Sequence, residues 1–414
     1  MKRTHRCGEI RSSDIGKDVT LQGWAHGSRD HGGLMFIDLR DRTGLAQVVV
    51  EPDNKDAFEL AKSVHYEWVL EVTGKVRRRP DVEVKDRDGK AKTVVTVNPN
   101  LPTGEVEVVV STLTLHNKSK ALPFLIEEKK QNEAGEAGEE HRLRYRYLDL
   151  RRPEAQEALF KRSRAYQAVR SHLHEQQFVE IETPYFVKYT PGGARNFLVP
   201  SRVHPGSFYA LAESPQIFKQ LSMVAGFDRY FQIARCFRDE DLRKDRQLEF
   251  TQIDIETSFL DRDDLLALIE GMLAAAFRDV RGVDLPRPFP RLTYAEAMDR
   301  FGSDKPDLRF GLELVDLTDL FRDGEFQAFA QVAAAGGAVK GLRVPGAGGL
   351  SRKDADDLTA TAKSFGAKGL VWVKVGADGL QSPVARFLEP VRTALLERLA
   401  AGPGDLLLLV GDAM

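Results

Sequence analysis

Arg238, Glu240, Phe250 and Asp254 fall within one stretch, Phe231–Glu256, which reads FQIARCFRDEDLRKDRQLEFTQIDIE. These residue types together suit a nucleotide: an arginine answers a phosphate, a flat aromatic stacks on a base, and carboxylates read amino groups. Both flanks of the stretch alternate as strands do. The first sets Phe231, Ile233 and Cys236 on one side, and the second lines up Phe250, Gln252, Asp254 and Glu256. Between them, DEDLRKDRQL is too charged for a core and too long for a tight turn. The pattern predicts a hairpin with a long charged loop, and composition alone favours a solvated one whose charges keep the chain soluble. A second group is Gln216 and Lys219 in AESPQIFKQLSM, three residues apart and so on one face of a helical turn. An exposed helix with a solvated lysine has the same spacing.

Such groups need a scaffold, and 414 residues are enough for two or three domains with their own cores. Sixty basic and 62 acidic residues leave a net charge of -2, so any nucleic acid must be held by local patches. The two cysteines, Cys7 and Cys236, match no metal spacing and fit free thiols in a reducing compartment. No metal ligands are assigned. The start, MKRTHRCGEIRSSD, lacks the apolar run of a signal peptide, and LLLLV at 406–410 is only strand-sized. A soluble cytoplasmic protein, away from membranes, is the expectation.

Residues 1–115 carry five short alternating runs (VTLQGWA, LMFIDLRD, LAQVVV, WVLEVTGKV and EVEVVVSTLTL), with a helical patch, KDAFELAKSV, after the third. That order predicts an OB-fold barrel, which often grips single-stranded nucleic acid on one face. Phe36 shares the strand alternation of its neighbours Leu34 and Asp38, which ordinary barrel core would also show. EEKKQNEAGEAGEEHR, within 116–141, is charged and aperiodic and reads as a linker. A helix is expected from Pro153 to about Gln177, with Leu159, Tyr166, Val169 and Leu173 near helical spacing. KYTPGGARNFLVPSR has neither helix nor strand period. Further on, GLRVPGAGGLSRKDADDLTATAKSFGAKGLVWVKV reads strand, helix, strand, with Ser351 and Asp354 spaced as a helix cap.

The string FRDEDLRKDRQLEFTQIDIE resembles the second signature of class II aminoacyl-tRNA synthetases, in the form found in bacterial aspartyl-tRNA synthetases. The likeness runs through the chain: RDHGGLMFIDLRD, TGKVRRR and NPNLPTGEVEV in the first domain, then RLRYRYLDLRR, FVEIETPYF, AESPQIFKQLSM and GSDKPDLRF. It implies an α+β multidomain fold. An OB-fold anticodon-binding barrel spans 1–115, a linker 116–141, the first part of a class II antiparallel-sheet catalytic core 142–287, and an α+β insertion domain 288–414. The implied reaction activates L-aspartate with ATP and magnesium, then charges tRNA(Asp), with tRNA(Asn) as a second candidate. The helix and strand around FVEIETPYF imply a homodimer.

By the same resemblance, Arg238 touches the substrate carboxylate and the α-phosphate. Asp239, Glu240 and Gln247 hold the nucleotide, and Phe250 stacks on adenine. Lys219 pairs with the side-chain carboxylate of aspartate, Ser214 and Gln216 hold its backbone end, and Asp254 takes its ammonium. Phe36 stacks on an anticodon base, with Arg29, Gln47, Arg78 and Asn98 nearby. His31 stands where relatives that charge both tRNAs carry histidine. Departures accompany these matches. Gly27 and Ser28 replace arginines, Gly192 replaces the glutamate of the mobile loop, and Tyr189 and Asn196 replace serine and aspartate. Glu213 stands for glutamine and Leu248 for proline.

After the insertion, the family continues with a histidine pair, an acidic metal-binding residue, a carboxylate-binding arginine and the third signature. None is found in this sequence, so an incomplete catalytic sheet with open edges is expected. The rival readings are a shortened, non-catalytic remnant that binds tRNA or a partner, and an asparaginyl or lysyl relative. GSDKPDLRF and the QIFK pocket weigh against the second rival.

Overall fold

The computed structural model describes residues 3–85, 91–126, 137–189 and 193–413, and the chain divides into two compact units, Met1–Leu285 and Pro286–Met414. In the first unit, strands β1 (Asp18–His31), β2 (Leu34–Asp41), β3 (Gly44–Val50), β4 (Val69–Arg78) and β7 (Val106–Asn117) close a barrel in the order β1-β2-β3-β7-β4. Period-two alternation decides which side chains fill it. Val19, Leu21, Ile37, Leu39, Val48, Val72 and Val108 point inward and are fully or almost fully buried. Helix α1 (Lys55–Lys62) follows β3, as KDAFELAKSV predicted, and Asn54 caps it by accepting from the Ala57 N–H. A small hairpin, β5 (Val82–Lys85) with β6 (Ala91–Val94), extends from β4; no sequence signal marked it.

A cluster of ion pairs ties the barrel to the segment RLRYRYLDLRR. Arg151 of that segment donates to the buried Glu67 carboxylate at 2.6 Å and stacks over Trp24, while Arg40 holds the same carboxylate from the barrel side. Of the predicted linker, 116–141, residues 127–136 lie outside the described residues, while its ends join strand β7 and a short helix, Glu139–Arg144. Helix α2 (Pro153–Glu175) runs almost as expected, with proline at its first turn where the missing N–H costs nothing. Val169 and Leu173 enter the core with Phe178, Phe231 and Met272, whereas Leu159 is half exposed. Strand β12 (Arg229–Phe237) is flanked by β13 (Glu249–Thr257), antiparallel, and β8 (Val179–Glu180), parallel. Helix α4 (Arg262–Arg281), capped by Asp261 and stopped by Gly282 at φ +66°, packs against α2.

A second small sheet is ordered β10 (Leu198–Pro200), β11 (Phe208–Leu211), β9 (Phe186–Val187). Strand β10 corrects the reading of KYTPGGARNFLVPSR as structureless: three residues are too few for a period to show. Between β11 and β12, helix α3 (Gln216–Val224) carries the QIFK segment.

The second unit is an α+β body. Its sheet, β14-β15-β18-β16-β17, is built from Leu314–Asp316, Ala338–Val344, Leu406–Asp412, Val371–Val375 and Leu380–Gln381, with LLLLV in the central strand. Phe321, Phe329, Val339, Leu395 and Leu407 form its core. The predicted cap holds: Ser351 Oγ accepts from the Asp354 N–H, and the Ser351 N–H donates to the Asp354 carboxylate at 2.8 Å. FPRLTYAEAMDRF forms a helix, Tyr294–Phe301, which packs on β14 within this unit. Among the described residues, no helix is long and apolar enough to cross a membrane.

Candidate active site

The hairpin forms in an unbroken register from Arg229 opposite Thr257 to Phe237 opposite Glu249. Directly opposed residues of an antiparallel pair share a face. Cys236 therefore sides with Phe250, Gln232 with Asp254, and Tyr230 with Glu256. This corrects the grouping of Cys236 with Phe231 and Ile233, because one residue of offset changes the face. The Cys236 thiol donates to Gln252 Oε1 at 3.1 Å, on the same face as the candidate ligands.

At the loop end, the Arg238 N–H donates to the Leu248 carbonyl at 2.8 Å, which closes the hairpin and sets the guanidinium 5.2 Å from the Phe250 ring centre. The two predicted nucleotide ligands are thus brought together. Asp239 is fixed through its N–H to the Arg195 carbonyl at 2.9 Å. Glu240 and Gln247 lie on the loop, the first half-buried and the second exposed.

The second predicted group, on α3, is held by charge. Lys219 reaches from α3 to Asp254 Oδ1 at 3.0 Å and Glu256 Oε2 at 3.2 Å. Burial acts to lower the Lys219 pKa, but bonds and charge from Asp254, then Glu256, outweigh it and raise the pKa above the ordinary lysine value. Tyr230 and Cys236 beneath are pushed upward, chiefly by burial and next by the charge of Asp254. Gln232 is locked by accepting from Thr183 at 2.8 Å and Tyr230 at 3.0 Å. Ser214 is half-buried just before α3, and Gln216 occupies its first turn, exposed. Gly192 lies outside the described residues. Glu256 was missed as a site residue, although its spacing two on from Asp254 puts it on the same face.

A second group lies on the outer face of the barrel. Phe36 alternates with the inward Met35 and Ile37, so it is not barrel core. Arg29 lies over its ring at 5.6 Å and donates to Asp38 at 2.6 Å and to Gln47 Oε1 at 2.9 Å. Gln47 in turn donates to Glu107 at 2.8 Å, which fixes the amide. Arg29, Gln47, Arg79 and Asn98 line a cavity of about 560 Å³ here. Arg78 is exposed and does not line it. Arg79 follows the end of β4 and is buried there, whereas Arg78, the last residue of the strand, is exposed. His31 is exposed at the tip of the β1–β2 hairpin.

A closed five-stranded barrel followed by an antiparallel hairpin core fits a class II tRNA synthetase architecture, and comparison with known proteins agrees. A family model described as tRNA synthetases class II (D, K and N) matches residues 138–377, and one described as OB-fold nucleic acid binding domain matches 19–116. An aspartate–tRNA(Asp/Asn) ligase from Moorella thermoacetica is 54% identical over all of this chain and 66% of its own length. The aspartate–tRNA(Asp/Asn) ligase of Geotalea uraniireducens is 53% identical over 99% of this chain and 67% of its own. The chain belongs to the aspartate–tRNA ligase family of class II synthetases, and it spans about two thirds of the length of these relatives. Asparaginyl-tRNA synthetase from Pyrococcus horikoshii, solved with asparaginyl-adenylate, superposes with a TM-score of 0.59 at 19% identity, covering 99% of this chain and 93% of that one, a likeness of fold.

Proposed function

We propose that the chain activates L-aspartate with ATP to aspartyl-adenylate and transfers the aspartyl group to tRNA(Asp), with tRNA(Asn) as a second acceptor. The observation that carries this reading is the Lys219 cation held between Asp254 and Glu256 beside the Arg238–Phe250 pair. Lys219 selects an acid over its amide, because a buried cation left facing a neutral amide is poorly compensated. The incoming side-chain carboxylate shares Lys219 with Asp254, which turns toward the substrate ammonium.

No protein nucleophile is needed. The α-carboxylate attacks the α-phosphorus in line and pyrophosphate leaves. Arg238 neutralises charge on both reactants, Phe250 stacks on adenine, and Asp239, Glu240 and Gln247 contact the nucleotide, so catalysis is placement plus charge. The terminal ribose hydroxyl of the tRNA then attacks the adenylate carbonyl and AMP departs. Among the described residues, no three His, Cys, Asp or Glu side chains converge as a metal cage; magnesium would enter with the ATP phosphates and would supply charge neutralisation there.

For the tRNA, Phe36 stacks on an anticodon base while Arg29, Gln47 and Asn98 read its surroundings, joined by Arg79 in place of Arg78. His31, together with the tRNA(Asp/Asn) in the names of the relatives, supports the second acceptor. The half-exposed Leu159 and Phe160 on α2 support a homodimer contact there. Two buried free thiols support a reducing, cytoplasmic setting.

The test is aspartate-dependent ATP–pyrophosphate exchange by the 414-residue chain. Exchange that is present in the wild type and lost in Arg238→Ala is the expected result. Absence of exchange while tRNA still binds would leave the remnant reading in its place.

A further inference from the structure

Around the hairpin and α3, four buried polar side-chain atoms have no hydrogen-bond partner among the described residues: Asn196 Oδ1, Glu213 Oε1, Asp254 Oδ2 and Arg238 Nε. Buried polar atoms are normally satisfied, so such a cluster marks a place prepared for a ligand. Their chemistry is specific. Three are acceptors and one is a donor. An ammonium group carries three N–H donors and no acceptor, and a carboxylate or phosphate takes what Arg238 offers.

The chain holds the segments bearing these atoms together. Asn196 Nδ2 donates to the Leu211 carbonyl at 3.1 Å, which orients its free oxygen. The Phe237 N–H donates to the Ala212 carbonyl at 3.0 Å, and the Asp239 N–H donates to the Arg195 carbonyl. Asn196, Glu213 and Arg238 therefore stand on three backbone segments that are directly bonded to one another. Asp254 is tied to them through Lys219, on the helix that begins three residues after Glu213.

Of the three acceptors, Asp254 shares its charge with Lys219 through its other oxygen, and Asn196 is neutral. Glu213 is the carboxylate whose charge is not already shared. It stands where the family usually carries a neutral glutamine, in a chain that has Gly192 and Asn196 in place of two loop carboxylates.

We propose that Glu213 is an ammonium-binding residue: its carboxylate, with Asp254 and the Asn196 carbonyl, receives the α-ammonium of the substrate. This rests on the reading of the pocket as an aspartate site. Fixed to the wall, Glu213 binds the ammonium without waiting for a loop to close.

The experiment is calorimetric titration of the full chain with L-aspartate and with succinate, which has both carboxylates and no ammonium. Wild type is expected to prefer L-aspartate. Glu213→Gln should weaken L-aspartate on the order of tenfold to a hundredfold and leave succinate unchanged, cutting the preference by that factor. The ratio of the two affinities within one variant does not depend on how much of the sample is folded. An undiminished preference in Glu213→Gln, with both ligands lost in Lys219→Met, overturns the role of Glu213 and leaves the aspartate site standing. If wild type binds neither ligand, or Lys219→Met loses neither, the aspartate site and the role of Glu213 fall together.

Discussion

Cys236 sits under the candidate pocket, and its thiol senses that pocket's burial and charge. Burial first, and the Asp254 carboxylate second, push it from an ordinary 9.0 up to about 11. A raised value means that the folded state holds the proton more tightly than the unfolded chain. The associated stability is complete below pH 9 and drains away as pH rises from 9 to 11. At pH about 9, native chain should resist iodoacetamide, whereas chain unfolded in urea alkylates at both cysteines, since the thiolate is the nucleophile. Intact mass reads the result, and rapid alkylation of the native thiol at that pH would contradict the buried placement. The same alternation sets how much of the site is legible in the sequence. Arg238, Phe250, Lys219 and Asp254 were legible because a motif fixes their order. The side taken by Cys236 and the choice of Arg79 over Arg78 needed the strand register, and the orphaned oxygens of Asn196 and Glu213 depend on tertiary contacts that no spacing encodes.

Strands and helices were legible where a local signal ran long enough. The five barrel strands and α1 announced themselves through alternation and one helical patch, and the Ser351–Asp354 cap through its spacing. The β5–β6 hairpin and β10 did not, being four residues or fewer among charges, glycines and prolines. Closing the barrel also imposes a requirement on one residue of β4. A Cβ placed on Gly74 would lie 2.1 Å from the Val109 carbonyl oxygen on β7, beside an irregularity between Thr73 and Gly74. That obstacle is backbone, which cannot swing aside as a side chain would. Gly74→Ala should therefore destabilise the barrel by about 3 kcal/mol or more, at the upper end of overpacking costs. A urea melt followed by tryptophan fluorescence, through Trp24 and Trp68 in this unit, measures it. A loss below about 0.5 kcal/mol, the range of ordinary surface changes, would show that β4 and β7 part more easily than their pairing suggests.

Two compact units, each with hydrophobic packing of its own, make the whole chain a molecule with two stabilities. Val169, Leu173, Phe178, Phe231 and Met272 lie beside the catalytic hairpin, and the barrel core belongs to the same unit, whereas Leu317, Phe329, Leu395 and Leu407 serve Pro286–Met414 alone. Chains of this kind depart from a single two-state transition, because each core can melt without the other. Leu395 is fully buried, so Leu395→Ala removes packing atoms and leaves a cavity worth about 2–5 kcal/mol. Differential scanning calorimetry should resolve two transitions in the wild type, with only one lowered in this variant. Aspartate, the substrate proposed above, provides the complementary probe: a ligand of the native first unit that has no site on the unfolded chain should, at a saturating concentration, raise the other transition and leave the Leu395-sensitive one in place. A single transition that moves as a whole under both perturbations would mean that the two cores melt as one cooperative body, and the stability of the pocket would then depend on packing at Leu395 in the other unit.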